Sequence, residues 1–300
     1  MTKTKQRSLL AIILIVSLSL LLVACGGGKD AAPDSNANVE PNNGNAVGNN
    51  NETGNKKPVS ITVGATDVPH AEILEQVIKP KLTEQGITLT IKVFNEYVLP
   101  NETLAGGDLD ANFFQHKPWL ENYVKESGND IIPFIGVHIE PMGGYSKTIT
   151  SIDQLKDGAK IGVPNAVTEL GRVLALLESN KLITLKEGVG LAGTLQDIVD
   201  NPKNLNFVEI DPSLLAPTVE EYDLAIINTN FAMQAGFVPA NDALIIEGTE
   251  SPYVNVLAIR SESANDEAIK ALADALLSPE VATFIEDKYE GAVVPAQVKY

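Results

Sequence analysis

The chain predicts an α/β fold built as two lobes with a ligand cleft between them. Apolar strand patterns alternate with amphipathic helix patterns from Ser60 to Tyr289. The 300-residue length leaves enough chain beyond Lys57 for two compact units. The chain is expected to cross from the first lobe near Gly143-Gly144-Tyr145 and to return near Glu247 to Ser251, so that the first lobe owns both termini. Alternation of this kind argues for predominantly parallel sheets, with ligand at the carboxyl ends of the strands.

The N-terminus has a different composition. Lys3, Lys5 and Arg7 precede Leu9 to Val23, an apolar run interrupted only by Ser17 and Ser19, which suits a signal-peptide core and is short for a membrane span. Leu22-Val-Ala-Cys25 and Gly26-Gly-Gly28 follow, resembling a bacterial lipobox. Residues 1–24 therefore read as a signal peptide, with cleavage before Cys25 and lipidation of its sulfur. Cys25 is the only cysteine, so no internal disulfide is possible. Lys29 to Lys57 is rich in Asn, Gly, Ala and Pro, with Val39 and Val47 as its only larger aliphatics. It buries too little apolar surface to offset its ordering entropy, and residues 25–57 read as a lipidated cysteine and flexible linker.

The formal charge of −17 includes three positive leader residues, so the mature chain stands near −17 − 3 = −20. That excess disfavours nucleic acid as a partner. It is spread along the chain, which bears on solubility more than on ligand.

Ser60 to Gly64 reads as a strand, Ala71 to Gln85 as a helix with Ile73, Leu74, Val77, Ile78 and Leu82 on one face, and Thr88 to Phe94 as an alternating strand. Pro100 opens a short helix to Ala105, which Gly106-Gly107 stops. Phe113 to His116 is expected to be extended, with Phe114 and His116 sharing one face. A helix from Pro118 to Glu126 and a strand from Ile131 to Val137 follow. Ser151-Ile-Asp-Gln154 has capping-box spacing. Lys160 to Pro164 is a strand, and Thr168 to Ser179 and Leu195 to Asp200 are helical. Strands are expected at Leu205 to Ile210, Leu224 to Ile227, Ala243 to Glu247 and Val254 to Arg260, and helices at Asp266 to Leu277 and Pro279 to Tyr289 close the chain.

Aromatic residues make up only 5% of the chain, yet Phe94, Tyr97, Phe113, Phe114 and Trp119 fall in one run together with His116. Such a cluster serves either a core or the wall of a small-molecule pocket. Val163-Pro-Asn165-Ala-Val-Thr-Glu169-Leu-Gly-Arg172 offers a strand, a turn and a helix start whose N–H groups face an anion. Arg172 is placed in the first turn, where a cation opposes the helix dipole and a bound carboxylate would account for it. The alternative is a surface arginine paired with an acidic neighbour. Asn228-Thr-Asn230 and Tyr253-Val-Asn255 flank apolar strands, where an Asn otherwise closes a turn.

The run from Phe94 contains F-N-x-Y-x-x-P-N-x-x-L-x-x-G-x-x-D-A-N-x-F-Q-H-x-P. This pattern resembles the NlpA-type methionine-binding lipoproteins, the substrate-binding components of methionine ABC importers, and the likeness extends from about Ile61 to the C-terminus. The resemblance implies a type II periplasmic-binding fold, with residues 58–145 plus 250–300 as lobe 1 and 146–249 as lobe 2. It implies a monomeric, multiply acylated receptor on the extracytoplasmic face of the cell membrane, delivering methionine to a permease and its ATPase. Two or more acyl chains hold a membrane stably where one does not. It implies carboxylate binding by Arg172, hydrogen bonds from Asn230 and Asn255, and a side-chain wall of Tyr97, Phe114, His116 and Tyr145, with Asn165 and Glu169 beside the ligand. Where the family commonly has P-N-D-x-T-N-x-G-R, this chain has Ala166 and Glu169. Glu169 suits an α-ammonium but would repel a carboxylate. D-methionine, a methionine-containing dipeptide and another apolar amino acid therefore stay open.

Gly188-Val-Gly-Leu-Ala-Gly193 matches a dinucleotide fingerprint without a buried parallel strand before it, so no cofactor is expected. His70, His116 and His138 lack metal-ligand spacing. Asp108 and Asp110 near His116 have no nucleophile or metal with them, and the chain reads as a binding protein rather than an enzyme.

Overall fold

The computed structural model describes residues 59–300; the expected signal peptide, lipidated Cys25 and linker lie outside the described residues. In chain order the strands are β1 (Val59–Thr66), β2 (Ile87–Phe94), β3 (Ala111–His116), β4 (Ile131–Ile139), β5 (Gly143–Tyr145), β6 (Lys160–Pro164) and β7 (Thr184–Leu185). They continue with β8 (Ile198–Asp200), β9 (Asn206–Ile210), β10 (Leu224–Ile227), β11 (Ile245–Ile246), β12 (Val254–Arg260) and β13 (Val294–Lys299).

Two sheets form the lobes. The first has the order β13-β4-β12-β3-β1-β2 and the second β11-β5-β10-β6-β9. Each is mixed. Four neighbouring pairs are parallel and five antiparallel, which corrects the expectation of predominantly parallel sheets. The physical reason lies in the crossings: β5 and β12 each enter a sheet directly from the other lobe. Without a covering helix to reverse the chain, they lie antiparallel to their neighbours.

The chain passes between sheets through Glu140 to Met142 and returns through Glu247 to Tyr253. Gly143–Tyr145, placed by the sequence at the end of lobe 1, pairs with β10 and β11 in the second sheet. Gly144 permits this, since a Cβ there would come 2.7 Å from Ile245 Cγ1.

Alternating side chains divide each sheet between two cores. On β12, Leu257 and Ile259 join the cluster under the helices Glu267–Leu276 and Pro279–Tyr289. Val256 and Ala258 face the helices Leu99–Ala105 and Lys117–Ser127 through Leu104 and Leu120. In the second sheet, Leu224 and Ile226 of β10 pack under the helix Val167–Ser179, while Ala225 and Ile227 meet Tyr145, Phe231 and Phe237.

Several segments differ from their sequence reading, among them the helices Pro212–Leu215, Thr229–Gln234 and Pro239–Asp242, which it did not contain. Leu195–Asp197 is a single 3-10 turn, and Ile198–Asp200 pairs with β7 rather than continuing as helix; β-branched Ile198 and Val199 suit the strand. Strand β13 has no counterpart in the sequence reading because Pro295 interrupts it, and a proline is tolerated there since β13 is an edge strand. The glycine run serves packing: Leu191 lies against Gly171, where a Cβ would come 2.2 Å from the Leu191 carbonyl oxygen.

Candidate functional site

A pocket opens between the lobes at the carboxyl ends of β3 and β10. The first lobe contributes Tyr97, Phe114, Gln115, His116 and Trp119, and the second Glu169, Arg172 and Asn228 to Asn230. Glu140 and Asn255 enter from the ends of the two crossings.

Arg172 is buried in the helix Val167–Ser179. It is the sixth residue of that helix, so it sits in the second turn; Glu169 occupies the first. The expected first-turn position is therefore corrected: the helix begins at Val167, one residue before the expected Thr168, and from either start Arg172 lies beyond the first 3.6 residues. Arg172 Nε donates to Glu247 Oε1 at 2.8 Å, and Nη2 donates to Glu247 Oε2 at 2.5 Å and to the Glu140 carbonyl at 2.7 Å. Tyr253 lies under the guanidinium, 4.4 Å from its ring centroid. Burial works against the arginine's charge, but Glu247 outweighs it and raises the pKa. The cation is thereby tied to both crossings.

Glu169 spans the cleft. One oxygen meets His116 Nε2 in the first lobe, and the other accepts from Asn228 Nδ2 at 2.7 Å. His116 Nδ1 accepts from the Trp119 N–H at 3.1 Å. The remaining proton therefore resides on Nε2, facing the carboxylate. Burial alone would raise the Glu169 pKa; the His116 contact, Arg172 and Asn228 more than reverse this and lower it to about 2. A second interlobe bond runs beside it, from Tyr97 Oη to Asn230 Oδ1 at 2.6 Å.

Glu140 is the other buried carboxylate. Its Oε1 accepts from His138 Nε2 at 2.8 Å and lies 3.2 Å from His70 Nε2. His70 Nε2 is also 3.2 Å from Asn255 Oδ1, while its Nδ1 faces the Thr66 hydroxyl at 2.8 Å. With Oδ1 so engaged, Asn255 offers its NH2 group to a ligand. The nitrogen and oxygen atoms of His70, His138 and Glu140 fall within 4.8 Å of one another, and N–H···O hydrogen bonding accounts for that convergence. Burial lowers the pKa of His70 to about 4 and of His138 to about 3, so both are neutral near pH 7.

The apolar wall is a set of rings around Tyr97, whose centroid lies 4.9 Å from Phe231, 5.6 Å from Trp119 and 6.0 Å from Phe114. Behind it, Asn101 and Gln115 exchange amide bonds of 2.8 and 2.7 Å. Asn112 donates to Asn101 at 2.9 Å and accepts from Gln115 at 2.9 Å. This buried amide cluster fixes β3 against the Leu99–Ala105 helix and accounts for three polar positions of the sequence motif.

Of the residues singled out from sequence, Tyr97, Phe114, His116, Glu169, Arg172, Asn230 and Asn255 come together around the pocket. Tyr145 and Asn165 do not. Tyr145 turns into the second lobe's core, its ring 4.8 Å from Phe237, because β5 is an interior strand of the second sheet. Asn165 is exposed beyond β6, where its N–H donates to the Ile210 carbonyl at 2.9 Å. Glu140, Trp119, Glu247 and the supporting pair His70 and His138 were not assigned from sequence. The available signal was an acidic residue closing an apolar strand run, present in both Ile131 to Glu140 and Leu244 to Glu247.

Three pocket atoms are buried without a partner: the acceptor Asn228 Oδ1 and the donors Asn230 Nδ2 and Trp119 Nε1. Leaving such a group unsatisfied costs about 1 to 3 kcal/mol. A bound molecule carrying donors and acceptors removes that cost.

The NlpA lipoprotein family matches residues 61–297. The chain is similar to the methionine-binding lipoprotein MetQ of Bacillus subtilis, with 45% identity over 257 residues, covering 83% of this chain and 92% of that protein. It is 42% identical over 238 residues to the D-methionine-binding lipoprotein MetQ of Escherichia coli K12, covering 79% and 86%. Among solved structures, a nutrient binding protein from Burkholderia cenocepacia bound to methionine aligns with a TM-score of 0.76 at 39% identity, over 79% of this chain and 99% of that one.

Proposed function

The chain belongs to the NlpA lipoprotein family, and from that premise we propose that it captures methionine between its lobes and passes it to an ABC importer. It does so as a binding protein without turnover, held by lipid on Cys25 at the extracytoplasmic face of the membrane. Residues 25–57 serve as the tether, and the permease and its ATPase are the partners.

Arg172, Asn230 and Asn255 hold the carboxylate. Asn228 and Glu169 face the ammonium, and Tyr97, Phe114 and Trp119 flank the thioether. A polarizable sulfur gains about 0.3 to 1.5 kcal/mol from such an aromatic contact, which favours methionine over leucine. The observation that carries this reading is the trio of unpaired polar atoms facing one cavity beside a buried arginine. In this reading Glu169 is suited to a zwitterion, since it stands three residues from Arg172 and one helical turn away.

Isothermal calorimetry with L-methionine, D-methionine, glycylmethionine and leucine tests it. One saturable site for methionine, with the ligand recovered unchanged, is the expected result; no heat with any of the four contradicts it.

A further inference from the structure

Arg172 turns only part of its guanidinium to the pocket. Nε and Nη2 donate to Glu247, Nη2 also donates to the Glu140 carbonyl, and Tyr253 lies against the face. Nη1 makes no hydrogen bond to protein among the described residues, and it is the group left for a ligand carboxylate. Glu247 is not part of the pocket lining; it stands behind the arginine at the start of the return crossing. Its placement is rigid. The Glu247 N–H donates to the Met142 carbonyl at 3.0 Å and the Met142 N–H donates to Glu247 Oε2 at 2.9 Å, so both crossings fix the carboxylate.

A guanidinium stays protonated with or without such a partner. Glu247 therefore decides how much positive charge the pocket feels, not whether Arg172 is charged. Burial works against the cation, and Glu247 contributes more to holding it than Glu169 does. Among the described residues Glu247 is the single acid in ion-pair contact with it. An unpaired arginine attracts any carboxylate, because one anion neutralises one cation. With Glu247 in place, an incoming carboxylate is the second anion on one guanidinium, and it enters at low electrostatic cost only when it brings its own cation.

We propose that Glu247 sets the net charge of the accepted ligand: by neutralising Arg172 from behind, it admits a zwitterion and turns away an anion of the same shape. The inference rests on the amino-acid reading of the site given above. Glu247 acts through Arg172 and is a positioning residue, not a ligand contact.

The test is a charge series at pH 6, where an α-amino group, whose usual pKa is roughly 8, stays protonated. Methionine is net neutral, 4-(methylthio)butanoate is an anion of nearly the same shape, and methioninamide is the cation. Calorimetric titration measures methionine, and competition against methionine measures the other two, in the wild-type protein and in Glu247→Gln, which keeps the shape and removes the charge. Relative to methionine, the anion's affinity should rise by about tenfold or more in the variant and the cation's should fall. A purely structural role moves all three ligands by the same factor. That result, or relative affinities that stay unchanged, undetectable binding of the anion by both proteins included, would overturn the proposal while leaving methionine capture intact. Glu247→Asp keeps the charge and shortens the reach, so all three affinities should drop together with their ratios at the wild-type values. A shift of those ratios toward the anion would contradict the proposal, and this variant carries the test if Glu247→Gln does not fold. Failure of the wild-type protein to bind methionine would remove the inference together with the reading it rests on.

Discussion

The two walls of the cleft are built on different physics. The first lobe presents rings, Tyr97, Phe114 and Trp119, backed by the amide cluster of Asn101, Asn112 and Gln115. Nothing in that scaffold is charged, and each amide is satisfied within the lobe. The second lobe presents charge, and every charged group there is held by a partner outside its own helix: Arg172 by Glu247, Glu169 by His116. The contrast separates two tasks. Held charges fix a zwitterion strongly and in one orientation, whereas rings choose among side chains by small increments.

The largest effect is expected on the charged wall. Arg172→Ala removes the cation proposed for the carboxylate and strands Glu247. Methionine affinity should fall by more than about tenfold, since charge-assisted bonds contribute roughly 1.5 to 3 kcal/mol. Breaking a buried pair should also cost about 3 to 5 kcal/mol of stability. Calorimetry and urea unfolding read the two separately, and unchanged affinity would place the carboxylate elsewhere.

Glu169 comes next. Its pKa is lowered from 4.5 to about 2. The stability it contributes is therefore fully present above the unfolded value near 4.5 and is lost as pH falls through about 2; it is on the order of 3 kcal/mol. Glu169→Gln should melt below the wild type at pH 7, and the gap should close in acid. A constant gap from pH 7 to pH 2 would show that the interlobe contact with His116 is not what lowers the pKa.

On the aromatic wall the effects shrink. Tyr97→Phe deletes one interlobe hydrogen bond, to Asn230, and should weaken methionine binding by about 0.5 to 1.5 kcal/mol. Phe114→Leu should narrow the preference for methionine over leucine by roughly 0.3 to 1.5 kcal/mol, with little change in leucine affinity. A loss on Phe114→Leu as large as that on Arg172→Ala would erase the distinction between the walls.

The same contrast explains what could be read in the sequence. Strand positions Lys160–Pro164, Leu224–Ile227 and Val254–Arg260 follow from local alternation and turn residues, and the structure places strands over those ranges. The aromatic wall was legible in part: Tyr97 and Phe114 lie within one short run and were assigned to it, whereas Trp119 lies in the same run without having been assigned to the wall. The pairing of charges was not. Glu247 lies 75 residues from Arg172 and Glu169 lies 53 from His116, and no local pattern encodes contacts that only two crossings bring together. Tyr145 was misplaced for a related reason: whether a residue at a crossing faces cleft or core depends on which sheet captures the strand. Gly143 and Gly144 do not reveal that until β10 and β11 close around them. Glu140 escaped notice as a single acid at the end of an apolar strand, a position equally suited to a solvated turn.

The account's central claim is that one zwitterion bridges the two walls. A crystal structure of the protein with L-methionine tests it directly. The predicted result is a single ligand between the lobes, its carboxylate within hydrogen-bond distance of Arg172 and its sulfur against the rings of Tyr97, Phe114 and Trp119. A ligand bound elsewhere, or one with its carboxylate turned to the aromatic wall, would contradict it.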